Sequence, residues 1–202
     1  FTAMNALQFW LWCFLELIPV VVMTLRAGSG QNRRWVVALL LQHWGSGLLM
    51  VLAGFLMLGF GLMVSTDVLS FDWLVLKNTD VKLEYATLIF FLLLFGFAIR
   101  MPLFPFHAWL PVLAEQGTVA SVGIFLVSLK LGIYATMRFL IPLLPEVAEH
   151  WAWFVVTMAL ISIFYGALLA LMQINFRRLL AFAIISQTGL IVIGLFDFNT
   201  YG

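Results

Sequence analysis

Charge is what this chain has least of. Its 202 residues include ten lysines and arginines and nine aspartates and glutamates, 9% in all, where a soluble domain carries about 25%. Apolar residues reach 64%, against roughly 45–50% in soluble proteins. So few polar groups cannot cover a surface that faces water. Cysteine is almost absent: Cys13 stands alone, which excludes a disulfide framework and a cysteine metal site within the chain. The three histidines have no ligand spacing, so no metal site is expected. The net charge of +1 says nothing about nucleic acid, but no basic patch interleaved with aromatics exists, and no nucleic-acid partner is expected. No glycine-rich phosphate loop, nucleophile elbow or dinucleotide fingerprint occurs, and no cofactor is expected in this chain. A charged n-region with a cleavage site is lacking too, so the first apolar stretch is not read as a signal peptide. The abrupt stop at Tyr201-Gly202 after an apolar run reads as a segment of a longer protein.

Long hydrocarbon runs take the place of all this. In lipid every backbone group must be satisfied internally, which leaves helices or closed barrels. The runs here far exceed the ~10 alternating residues of a barrel strand. The expectation is an all-α, polytopic transmembrane helix bundle of about six helices, one of them discontinuous, in a single domain over 1–202. Spans are read at Ala6–Leu25, Trp35–Met63, Glu84–Ile99, Thr118–Leu140, Trp151–Met172 and Leu179–Phe196. Phe71–Leu76 is placed at the interface. The third run has 16 residues, ~24 Å at 1.5 Å each, which falls short of a ~30 Å core. The piece around Phe106–Leu113 has to complete that crossing.

Loop charges orient the bundle. Arg26, Arg33, Arg34, Arg177 and Arg178 fall on one side with Glu115. The other side has Lys77, Lys82 and Arg138 among most of the acids. The arginine-rich side is therefore expected to face the cytoplasm or an equivalent compartment, with both chain ends opposite.

Four residues inside the apolar part carry the chemistry. Arg100 closes the third run and opens the proline-broken stretch Arg-Met-Pro-Leu-Phe-Pro-Phe-His-Ala-Trp-Leu-Pro (100–111). Pro102 and Pro105 remove backbone donors there, and irregular backbone at membrane depth survives only where protein or water satisfies it. Arginine stays protonated, so Arg100 suits tuning or gating, or a structural clamp, better than proton carriage. Lys130 lies too far from either end of its helix to snorkel, and is expected to face the bundle interior. Burial disfavours its charged form, which suits a group that takes up and releases protons; the alternative is a static bridge between helices. Glu16 is the carboxylate well inside an apolar run, and either partners a buried cation or sits protonated against a neighbouring helix. His107, within the break, either passes protons or packs. His43 reads as a packing or hydrogen-bonding residue and His150 as solvated.

Three motifs then resemble one family. The 100–111 stretch resembles its Lys-Met-Pro-Phe-His-Trp-Leu-Pro break. Ser128-Leu-Lys-Leu-Gly-Ile-Tyr134 with Arg138-Phe139 resembles Leu-Leu-Lys-Leu-Gly-Tyr-Gly…Arg-Phe. Gln173-Ile-Asn-Phe-Arg-Arg-Leu-Leu-Ala-Phe182, followed by Ile185-Ser-Gln-Thr-Gly189, resembles Gln-Asp-Ile-Lys-Lys-Leu-Ile-Ala-Tyr…Ser-His-Met-Gly. These are motifs of the proton-conducting, antiporter-like membrane subunits of respiratory complex I, chain M type, whose core is shared with Mrp cation/proton antiporters. The resemblance implies about fourteen helices in two inverted five-helix repeats, of which this segment resembles the first. It places Glu16 as the glutamate of the first repeat helix, Arg100 at the lysine of the break and Lys130 at the lysine after it. Departures are present: arginine replaces the family lysine at 100, Glu16 lies three residues before Pro19 rather than five, the loop after Pro111 is one residue shorter, and Gln187 replaces a histidine.

The resulting expectation is a membrane-arm subunit of an NADH:quinone oxidoreductase that translocates protons through a relay of Glu16, Arg100, His107 and Lys130. Redox centres lie in other subunits. Its partners are other membrane-arm subunits, the lipid bilayer, protons and water; its place is the bacterial plasma membrane or an equivalent energy-transducing membrane. An Mrp-like sodium/proton antiporter subunit and a non-conducting structural subunit are the alternatives.

Overall fold

The computed structural model describes residues 4–28, 32–78, 83–117 and 129–198. Regular structure among these residues is helical, apart from an isolated bridge between Asn5 and Asp72. Helix α1 covers Ala6–Leu15 and α2 covers Leu17–Ala27. Asn5 starts α1 by accepting the Leu7 and Gln8 N–H groups at 3.0 and 3.3 Å, which satisfies two orphan donors of the first turn. The expected single helix Ala6–Leu25 is thus two, jointed at Glu16. Pro19 supplies the cause: it has no N–H to give the Leu15 carbonyl, and its ring crowds that carbonyl.

Helix α3, Arg33–Thr66, runs 34 residues, about 51 Å, well beyond an upright crossing. Short α4, Trp73–Lys77, is capped by Asp72, which accepts the Leu74 N–H at 2.8 Å. The entry to α1 is pinned beside it: Ala6 N–H donates to the Phe71 carbonyl at 2.9 Å and Trp73 N–H to the Met4 carbonyl at 2.7 Å. The expected interfacial stretch is therefore a strap across one end of the bundle.

Helix α5, Leu83–Arg100, stops at the prolines, and α6, Trp109–Gln116, resumes after them. The discontinuous helix is as expected. The first half of the expected span Thr118–Leu140, residues 118–128, lies outside the described residues. Its second half is helix α7 over 129–135 and a π-helical turn at Thr136–Leu140, succeeded by two short helices, α8 at Ile141–Leu143 and α9 at Pro145–His150. Helices α10, Ala152–Leu171, and α11, Phe176–Leu195, form a hairpin tied by the Ser186 hydroxyl, which donates to the Ile163 carbonyl at 3.1 Å. Among the described residues, four helical stretches are long and apolar enough to cross a membrane, the first of them Ala6–Arg26 across the Glu16 joint, and Tyr85–Arg100 is a shorter apolar helix. Large apolar side chains such as Phe164, Leu168 and Leu171 are exposed along α10, as lipid-facing positions require.

Two close crossings position the interior. A Cβ on Gly96 would come 2.8 Å from the Gly47 carbonyl oxygen and 2.4 Å from Val51, so only glycine lets α3 and α5 approach this closely. A Cβ on Gly132 would meet the Met101 nitrogen at 2.8 Å, which seats α7 directly on the break. Phe139 fills the space between, its ring 4.9 Å from Phe9 and 5.4 Å from Phe55. At the arginine-rich end, Arg178 pairs with Glu115 at 3.6 Å and Arg177 donates to the Gly117 carbonyl at 3.1 Å. Arg138 lies at the strap end, its guanidinium 3.9 Å from the Trp73 ring centre and its carbonyl accepting the Trp73 indole N–H. Arg177, Arg178 and Glu115, grouped by the sequence, thus share one end of the bundle; Lys82 lies outside the described residues.

Candidate functional site

Two interrupted helices meet at one buried ion pair. Arg100 is 4% exposed. Its Nη2 donates to Glu16 Oε2 and forms an ion pair with it, while Nη1 donates to the Cys13 carbonyl at 3.3 Å. Glu16 stands at the α1–α2 joint and Arg100 at the last residue of α5. The logic is local at both places. Carbonyls in the last turn of α1 need outside donors, and the C-terminal end of α5 carries partial negative charge that favours a cation. Trp44 of α3 completes the surroundings, its ring centre 4.7 Å from the Arg100 guanidinium carbon.

Four backbone N–H groups of the break, those of Met101, Leu103, Phe104 and Phe106, are satisfied within the protein. Met101 N–H donates to the Phe97 carbonyl at 2.8 Å, Leu103 N–H to Ala98 at 3.1 Å and Phe106 N–H to Leu103 at 2.6 Å. Phe104 N–H has no helical acceptor; the Ser162 hydroxyl of α10 accepts it at 2.7 Å and donates in turn to the Met158 carbonyl at 3.0 Å. The Trp109 indole N–H donates to the Ile99 carbonyl at 2.9 Å. A break inside an apolar bundle holds where such groups find protein partners.

His107 is 7% exposed, with its ring 5.8 Å from Phe104 and 4.9 Å from Tyr165. Its Nδ1 is buried and has no hydrogen-bond partner among the described residues. A buried polar atom of this kind needs a water or a proton-carrying partner. His43 Nδ1 lies 2.9 Å from the Leu39 carbonyl of its own helix, and His150 is exposed with an edge on Trp151.

Lys130 departs from expectation in its orientation. Instead of facing the interior, it is exposed on α7, one residue after buried Leu129. It makes no ion pair with Glu16, whose carboxylate is taken by Arg100. The helical period explains this: Gly132 and Thr136 turn toward Met101, and that choice turns Lys130 away. The sequence therefore singled out Glu16, Arg100 and His107, but it did not pair Glu16 with Arg100 and did not find Ser162, Trp44 or Trp109. A hydroxyl in the apolar run of α10 was the available signal for Ser162, shared there with Thr157 and Tyr165. For the tryptophans there was none in the spacing.

A family described as NADH:quinone oxidoreductase/Mrp antiporter, transmembrane, matches residues 3–202. The chain is similar to NADH-quinone oxidoreductase subunit M of Buchnera aphidicola subsp. Acyrthosiphon pisum (strain APS), 38% identical over 154 residues, covering 75% of this chain and 30% of that one. Among solved structures it is similar to a chain of respiratory complex I from Thermus thermophilus with bound NADH, with a TM-score of 0.87 and 30% identity over 96% of this chain and 41% of that one. A chain of the Mrp complex from Dietzia sp. DQ12-45-1b has the same fold, with a TM-score of 0.79 and 21% identity over 96% of this chain and 36% of that one. The chain spans 30–40% of the length of the curated relatives it matches.

Proposed function

The chain belongs to the NADH:quinone oxidoreductase/Mrp antiporter transmembrane family, and on that premise we propose that it is part of a proton-translocating membrane-arm subunit. In this reading quinone reduction elsewhere in a complex I-like assembly drives the movement, and other membrane-arm subunits are its partners. The observation that carries it is the buried Glu16–Arg100 pair where two helix interruptions meet. Ionisable pairs at membrane depth mark ion and proton pathways.

Each residue has a distinct part. Arg100 remains charged and sets the local field. Glu16 is the carboxylate that this field acts on. His107 offers a buried ring nitrogen inside the break to a water chain. Lys130 is the group that takes up and releases the proton. An ammonium is costly in hydrocarbon, so the exposed face of α7 meets other protein or a water-filled cavity rather than lipid.

The test uses the full-length subunit in its complex, reconstituted in proteoliposomes. Lys130→Ala should abolish proton translocation while the complex still assembles. An unchanged ratio of protons moved to quinone reduced overturns the proposal. The family description also covers Mrp antiporters, so sodium/proton exchange is the second reading. Replacing sodium by choline separates the two: proton movement that needs sodium supports exchange, and proton movement that does not supports the pump.

A further inference from the structure

Arg100 differs from a lysine in shape more than in charge. A guanidinium is planar and stacks on aromatic faces, whereas an ammonium is a compact, strongly hydrated point charge. The structure gives Arg100 such a face. Trp44 is 1% exposed, and its ring lies 4.7 Å from the guanidinium carbon, inside the ~6 Å range of a cation–π contact. Trp44 cannot swing away. Its ring meets Trp109 edge-on at 5.3 Å, and the Trp109 indole is anchored on the Ile99 carbonyl, one residue before Arg100. The close α3–α5 crossing at Gly47 and Gly96 brings Trp44, three residues from Gly47, level with Arg100, four residues from Gly96.

From this geometry we infer that Trp44 is a positioning residue for the charge pair. Its indole face holds the Arg100 guanidinium against Glu16 and makes the site specific for arginine. This goes beyond the proposed proton path but rests on it for its functional readout. The carboxylate binds an edge of the guanidinium through Nη2, and an edge contact leaves the orientation of the plane to what lies against its face. With Trp44 on one side and the Cys13 carbonyl and Glu16 on the other, the cation has one seat. The charge stays in place while protons move past it.

The experiment places tryptophan analogues with one to four ring fluorines at position 44 of the full-length subunit in its complex. Fluorination drains the negative face of the ring and leaves its shape nearly unchanged, so a packing role does not respond to it. Two quantities are read, coupled proton flux and the thermal midpoint of the complex, with Glu16→Gln and Arg100→Lys as backgrounds. Both readouts should fall stepwise with fluorine number, by about threefold or more in flux between unmodified and tetrafluorinated rings, in line with an energetically significant buried cation–π contact. In the Arg100→Lys background the dependence should weaken, because a compact, strongly hydrated ammonium gains less from the ring face than a guanidinium. A flat dependence in the arginine protein overturns the role of Trp44 even when flux is normal. If Glu16→Gln and Lys130→Ala leave flux unchanged, the proton-path reading fails instead. The midpoint series then decides on Trp44 by itself, a flat series overturning it and a stepwise one supporting it.

Discussion

Removing one member of the Glu16–Arg100 pair should cost more than removing both. The side chains are 17% and 5% exposed, so Glu16→Ala leaves a guanidinium without its counter-charge in a nearly closed site. Breaking a buried pair in this way costs about 3–5 kcal/mol. The Cys13 carbonyl and the Trp44 face stay in place, which puts the expected loss near the lower end, about 3 kcal/mol. Glu16→Gln keeps an acceptor within reach of the cation. Hydrogen bonds to charged groups contribute about 1.5–3 kcal/mol, so glutamine should recover roughly half of the loss. Glu16→Leu with Arg100→Leu removes both charges together, and a buried pair exchanged for apolar groups is close to neutral or stabilising; the double variant should lie within about 1 kcal/mol of wild type. Equilibrium unfolding of the full-length subunit in mixed micelles, run on both singles and the double, measures the coupling. Additive losses, or singles that cost under about 1 kcal/mol, would refute the idea of a desolvated, mutually dependent pair. The double variant should also fail to translocate protons although it folds.

Two further substitutions address the break. Ser162→Ala leaves the Phe104 N–H without its acceptor and should destabilise the subunit by about 1–3 kcal/mol; Ser162→Thr, which retains the hydroxyl, should do less, and the same unfolding assay compares them. Gly132→Val drives side-chain atoms toward the Met101 backbone, where even a Cβ would stand 2.8 Å from the nitrogen. A loss of about 1–3 kcal/mol from overpacking is expected, with slowed proton flux as α7 moves off the break; unaltered flux and stability would show that the contact is not a constraint.

How much was readable depends on the kind of interaction involved. The α5–α6 discontinuity was legible because Pro102 and Pro105 act on their own turns, independent of the rest of the chain. The joint at Glu16 went unread although Pro19 was in plain view, because a long apolar run reads as one span until its hydrogen bonds are traced. Glu16 was recognisable as a partner for a buried cation because a carboxylate inside hydrocarbon needs one. That the partner is Arg100, with Lys130 turned outward, depends on which face of each helix packs, and Gly132 and Gly96 set those faces through backbone approach.

The sequence by itself determined that this is a helical membrane protein, that a helix breaks at Pro102 and Pro105, which family its motifs belong to and which charges must be satisfied. Composition and proline act locally and need no neighbour to take effect. Tertiary structure alone decided who satisfies whom. Ser162 serves the Phe104 N–H from 58 positions away, and Glu16 meets Arg100 across 84. Trp44 reaches Arg100 because two glycines allow two helices to touch. Such pairings have no spacing rule, since they are fixed by helix faces and close approach, and these exist only once the bundle has packed.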